Sequence, residues 1–169
     1  DKAADYLSEA TKDLSIFNNR KAEEFVPAVS KGSDSKYYNG DLLNVVCRNA
    51  IEIWGSVNSS SYSQKEIDQK RNELAGRFID HYRKTGNANA VVLATLDSLE
   101  HSNTDFFSGK SNDTTNTSYI VARKLMEQYA QSPCAVEAYI YICNKMRNGK
   151  CETEDLRYNL AKKGAQLYS

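Results

Sequence analysis

Four cysteines and two histidines are the residues of this chain best suited to nucleophilic or metal chemistry, and their spacing decides what they can do. A cysteine or serine nucleophile needs a base that a third group orients. His81 stands between Asp80 and Tyr82, and His101 between Glu100 and Ser102, and neither neighbours a glycine elbow. Both read as histidines on solvated helix surfaces. Cys47, Cys134, Cys143 and Cys151 form no C-x-x-C knuckle and lie far in sequence from either histidine, which argues against zinc. They are too few and too scattered for a disulfide framework. Cys143 and Cys151 flank Asn148-Gly149 and would approach each other if two helices fold back there. Small apolar thiols packed in a helical core are the plainer reading.

Acid–base work would draw on Glu23-Glu24 or on Glu152, Glu154 and Asp155. Helical spacing puts the second group in a first turn, where carboxylates complement the helix dipole. The chain has no glycine-rich phosphate cradle, no EF-hand loop and no H-E-x-x-H. Asn58-Ser59-Ser60, Asn112-Asp113-Thr114 and Asn116-Thr117-Ser118 match the glycosylation sequon, as Asn- and Ser-rich chains do by chance. Lys145-Met146-Arg147 and Lys162-Lys163 read as solvated basic faces. The expectation is a chain with no catalytic residue, no metal and no cofactor.

The elements that must position any site are helical. The 169 residues suffice for one domain or a short solenoid, and 40% hydrophobic with 26% charged residues is ordinary for a globular protein. Lys plus Arg (22) equals Asp plus Glu (22), so no net field favours nucleic acid or an anionic membrane. No apolar run approaches the roughly 20 residues that span a bilayer. The chain opens at Asp1, its only methionines are Met126 and Met146, and no signal-peptide pattern is read in it. A mature or excised segment of a longer product is expected.

Ala3, Ala4, Leu7, Ala10, Leu14 and Phe17 mark one helix face over 3–17. After a break at Gly32-Ser33-Asp34-Ser35, Asp41 can cap a helix apolar nearly all round, from Leu42 to Trp54, which Gly55 stops. Ser63 and Glu66 make a capping-box signal for a long helix to about Lys84, with Ile67, Leu74, Phe78, Ile79 and Tyr82 inward. Gly86-Asn87 breaks it, and a helix carrying Val91, Val92, Leu93, Leu96 and Leu99 follows. Residues 102–117 read as a long loop. Thr117 or Ser118 then starts a helix with Ile120, Val121, Leu125, Met126 and Tyr129 inward, and Ser132-Pro133 leads into the next, which Asn148-Gly149 ends. Thr153-Glu154-Asp155 starts the closing helix, carrying Leu156, Leu160, Ala161, Gly164, Ala165 and Leu167. No stretch sustains period-two alternation, so the chain should be all-α, with six to eight helices.

Two stretches repeat at one offset, 129 − 82 = 47: Tyr82 aligns with Tyr129, Thr85 with Ser132, Gly86 with Pro133 and Ala88 with Ala135. A repeated helix pair cannot bury its apolar face alone, so neighbouring pairs stack. Tyr82 and Tyr129 should take equivalent seats in hairpins that lean on each other. The division is N-terminal helices over 1–55, a first pair over 63–102, a second over 117–148 and a closing helix over 151–168, in a single domain of 1–169. Among eleven tyrosines, Tyr82, Tyr129, Tyr139 and Tyr158 read as packing residues. Phe106-Phe107 in the long loop and Tyr37-Tyr38 ahead of Asn39-Gly40 are the candidate partner-binding residues, with packing the competing reading for the phenylalanines.

The pair around Tyr129-Ala130-Gln131-Ser132-Pro133-Cys134-Ala135, with Ala138 at the second small position, resembles the tetratricopeptide-type repeats of bacterial envelope proteins. Tyr37-Tyr38-Asn39-Gly40-Asp41-Leu42-Leu43, Ala50-Ile51 and Tyr82 through Ala90 resemble the helical N-terminal region of large bacterial alpha-2-macroglobulin-like proteins. The Cys-x-Glu-Gln thioester motif of that family is missing, since Cys151-Glu152-Thr153-Glu154 does not fit it. The resemblance implies a tetratricopeptide-like right-handed helical array, non-catalytic, from a larger exported protein of the periplasm or outer-membrane-associated envelope. Its work would be spacing, presentation or binding a protein partner. Protease trapping would belong to the rest of such a protein, and any lipid anchor to a part preceding Asp1. A helical ligand-binding domain with a pocket between helices is the alternative.

Overall fold

A computed structural model of the chain describes residues 2–18, 20, 42–57, 61–100, 116–145 and 151–168. These residues form α1 (Lys2–Ala10), a 3-10 turn (Leu14–Phe17), α2 (Leu42–Gly55), α3 (Gln64–Thr85), α4 (Ala88–Glu100), α5 (Thr117–Gln128), α6 (Ala135–Lys145) and α7 (Cys151–Tyr168), with no strand among them. The all-helical expectation holds. The chain divides into two compact units, residues 1–94 and 95–169, and the boundary falls within α4.

In the first unit the helix expected over 3–17 ends at Ala10. The Thr11 hydroxyl donates to the Leu7 carbonyl at 2.7 Å, and Asp13 Oδ1 accepts from the Ser15 amide at 2.9 Å, which opens the separate 3-10 turn. A side chain that bonds its own backbone competes with helix continuation. α2 and α3 pack side by side. Ala50, Ile51 and Trp54 of α2 meet Leu74 and Ala75 of α3, with Ala4 of α1 in the same cluster. Further out, Gly55 lies beside the Arg71 guanidinium, so advancing along α2 means retreating along α3, and the two run antiparallel. Two polar clasps fix α1: Trp54 Nε1 donates to Ser8 Oγ at 2.7 Å, and the Tyr62 hydroxyl reaches both Asp5 oxygens at 2.9 Å.

α3 begins and ends where the sequence marks it. The Ser63 amide donates to Glu66 Oε2 at 2.8 Å while Ser63 Oγ accepts from the Glu66 amide at 3.3 Å, completing the capping box. The five residues expected inward, Ile67, Leu74, Phe78, Ile79 and Tyr82, are all buried. Gly86 closes the helix at φ 73°, a left-handed conformation that costs glycine little and other residues more. Asn87 Oδ1 then accepts from the Ala90 amide at 3.1 Å to start α4, which is buried at every position from Ala90 to Leu96.

In the second unit α6 packs on both α5 and α7. Asn116 caps α5, its side-chain oxygen accepting from the Ser118 amide at 2.9 Å and the Tyr119 amide at 3.2 Å. The inward face is Ser118, Tyr119, Ala122, Leu125 and Met126, so the helix is rotated from the expected phase and Ile120 faces water. α7 starts at Cys151, ahead of the expected Thr153. Cys143 Sγ lies 3.6 Å from the Arg157 carbonyl, and Tyr139 lies against Gly164. Going back along α6 therefore goes forward along α7, and these helices too are antiparallel. Leu160 and Gly164 are buried on that seam, while Ala161, Ala165 and Leu167 are exposed.

Gly164 is small because Tyr139 is close. A Cβ there would meet the Tyr139 Cβ and Cγ at 3.3 Å. Gly164→Leu is expected to lower unfolding free energy by about 1–3 kcal/mol, the usual range for overpacking. Gly164→Ala should cost less, because the helix-propensity gain of about 1 kcal/mol offsets the tight contact. Urea unfolding followed by circular dichroism reads both, and a Leu variant as stable as the parent would mean that the seam lies elsewhere.

Candidate functional site

The described residue groups that could do chemistry fall in three places. In the second unit, burial and the Glu100 carboxylate push the Tyr141 phenol up to about 12, and its hydrogen bond with Ser118 offsets part of this. Lys145 Nζ sits 5.6 Å from the centre of that ring and 2.9 Å from Glu100. A phenol so placed stays protonated near neutrality. Burial likewise pushes the Cys143 thiol up, with the Arg157 charge opposing it in part. The thiolate is the nucleophile, and burial disfavours it here. Cys47 and Cys134 are also buried, which fits the packing role read for the cysteines.

The second place is a shallow cleft in the first unit, about 280 Å³ in volume, between the end of α1 with its 3-10 turn and the C-terminal half of α3. Lys12, Leu14 and Ser15 line one wall, and Arg77, Asp80, His81 and Lys84 the other. The four α3 residues are spaced at i, i+3, i+4 and i+7, which puts them on one helix face. Arg77 is partly buried, and its Nη1 donates to the Thr11 carbonyl at 3.0 Å. That bond follows from the break in α1, because ending the helix at Ala10 turns the Thr11 carbonyl out of the intrahelical ladder. Asp80 pairs with Arg83 at 2.9 Å, and Ser15 donates its hydroxyl to Asp13 at 2.6 Å. Lys12 pairs with Glu9 at 2.5 Å, but both side chains are about two-thirds exposed, so water screens that pair. The lining thus holds three cations, of which Arg77 is anchored, one carboxylate paired with Arg83, and the His81 imidazole in a T-shaped contact with Tyr82 at 5.8 Å between centroids. Such a wall can hold an anion. A second depression follows the outer face of α3 alone, along Lys65, Asp68, Gln69, Asn72 and Glu73, and its charges are mixed.

The third place is the outer surface of the second unit. Ile120 on α5, Ile140 on α6, and Tyr158 and Leu167 on α7 are 38%, 45%, 66% and 55% exposed. Tyr82 and Tyr139 are buried and Tyr129 is half-buried, whereas Tyr158 faces solvent. The packing reading therefore fails for Tyr158, because Leu160 and Gly164 carry the α7 seam on a different face.

Tyr37, Tyr38, Phe106 and Phe107, the candidate partner-binding residues, lie outside the described residues, as do His101 and the side chain of Cys151. The cleft escaped sequence reading. Its α3 half was visible in the spacing of Arg77, His81 and Lys84, but nothing local ties Lys12 to them across more than sixty positions. Among the described residues no three of His, Cys, Asp and Glu gather where they could hold a metal ion, and no helix is long and apolar enough to cross a membrane. In comparisons with protein-family models, curated proteins and solved structures, the chain matches none of them.

Proposed function

We propose that this chain is a non-catalytic, protein-binding helical module of a larger exported bacterial protein of the cell envelope, built as a tetratricopeptide-like right-handed array. The alpha-2-macroglobulin-like resemblance makes the N-terminal part of a protease-trapping protein its natural setting. One observation carries the reading: α6 packs on both its neighbours and runs antiparallel to α7, it buries the small residues Ala135 and Ala138, and Gly164 of α7 lies against its Tyr139. Short successive helices seamed by small side chains are how helical repeats stack, and the faces left over form the binding surface. Those faces here carry Ile120, Ile140, Tyr158 and Leu167 in water. Tyr158 and Leu167, nine residues apart, lie on opposite faces of α7, so the exposed apolar positions are taken singly rather than as one patch.

Photocrosslinking in the producing cell tests the proposal. A photoreactive amino acid replacing Ile140 or Tyr158 should give a discrete protein adduct, and the same probe at Lys65 on α3 should not. Equal, diffuse labelling at all three positions would refute a dedicated protein surface.

A further inference from the structure

We infer that the cleft between the 3-10 turn and α3 is a binding site for a small oxyanion, the phosphate or carboxylate group of a ligand. This stands apart from the proposed protein-binding role and concerns the other unit.

Three observations carry it. First, the cations come from two elements: Lys12 follows α1, and Arg77 and Lys84 lie two helical turns apart on α3. Basic residues in the last turn of a helix complement its dipole, which accounts for Arg83 and Lys84. It does not account for Arg77, well back from the helix end, or for Lys12 on a different segment. Second, Arg77 is positioned before any ligand arrives. Its bond to the Thr11 carbonyl holds one arm of the guanidinium at 3.0 Å, and the planar fork keeps its remaining donors in fixed directions. Orienting a fork in advance removes part of the entropy cost of binding. Third, Asp80 is the one carboxylate in the lining, and even counting Glu9, which pairs with Lys12, the three cations outnumber the carboxylates. Against a chain whose charges balance, 22 of each sign, this concentration is local.

The volume of about 280 Å³ admits an inorganic oxyanion or one acidic group of a larger molecule, and lies just below the range of enclosed small-molecule pockets. Weak, salt-sensitive binding is therefore expected.

The test is an amide and arginine side-chain NMR titration of the 169-residue chain with sodium phosphate and with sodium succinate, against sodium chloride at matched ionic strength. Saturable shifts at Ser15, Arg77, His81 and Lys84 with either oxyanion are expected, and none with chloride. Stronger binding of phosphate assigns the site to phosphoryl groups, and stronger binding of succinate assigns it to carboxylates. Arg77→Gln and Lys84→Gln should each weaken the apparent Kd about threefold to fivefold, the factor of one exposed charge pair. Lys65→Gln should leave it unchanged. Among the described residues Lys84 makes no bond that holds the fold together in the way Arg77 does, so Lys84→Gln decides the matter if Arg77→Gln disturbs the turn. Shifts that never saturate, that chloride reproduces, or that survive both substitutions unchanged would overturn the assignment.

Discussion

Trp54→Ala is expected to lower unfolding free energy by about 3–5 kcal/mol, the range for deleting a buried aromatic side chain. Trp54 is fully buried and is the largest side chain at that level of burial. It packs with Ala50, Ile51, Leu74 and Ala75, its ring edge meets Tyr62 at 5.3 Å between centroids, and its indole donates to Ser8. Truncation empties the seam between α2 and α3 and removes one of the two clasps that hold α1. For a chain of this size about 2–4 °C of thermal midpoint accompany each kcal/mol, so a fall of about 6–20 °C is expected. Trp54→Phe should lose less, because it refills much of the space and forfeits chiefly the bond to Ser8. Far-UV circular dichroism is the suitable readout, since this is the only tryptophan. A Trp54→Ala variant within 1 kcal/mol of the parent would place the ring outside the core.

Tyr82→Ala should also cost about 3–5 kcal/mol, while Tyr129→Ala should cost markedly less. Tyr82 is 2% exposed, with Phe78 at 4.8 Å and His81 at 5.8 Å between ring centroids. Tyr129, its partner in the sequence repeat, is the half-buried C-cap of α5. Parallel urea titrations of the two variants would show the difference. Equal losses would mean that the two tyrosines fill equivalent seats after all.

That contrast shows what the sequence could and could not disclose. Helix starts were readable because caps are local: Ser63 with Glu66, and the Gly86 break, act within a few residues. The repeat offset survives in the fold at these starts, since α4 begins at Ala88 and α6 at Ala135, and 135 − 88 = 47. It fails at the ends, because α3 continues to Thr85 while α5 stops at Gln128, well short of Ser132, the counterpart of Thr85. Faces were readable where a helix has one apolar side, as on α3. On α5 the apolar residues Ile120, Val121, Leu125 and Met126 allow more than one phase, and burial of Ser118 and Tyr119 chose the other. Serine hides there because Tyr141 offers it a hydrogen bond, a long-range fact that periodicity does not carry. The α1 break was missed for a similar reason. Leu14 and Phe17 keep the helical spacing, but Thr11 and Asp13 give the backbone better local partners. The cleft exists because of that break, and so it was the least legible feature of all.

The stacking of successive helices in the second unit is tested most directly by a NOESY spectrum of the isotopically labelled chain, read between Gly164 Hα and the Tyr139 side chain. With α7 laid antiparallel on α6 so closely that a Cβ on Gly164 would meet Tyr139 at 3.3 Å, a strong cross-peak is expected, accompanied by weaker ones between Cys143 Hβ and Arg157. Absence of the Gly164–Tyr139 peak from a spectrum that shows α6 and α7 both helical would contradict the seam, and with it the repeat-like module built upon it.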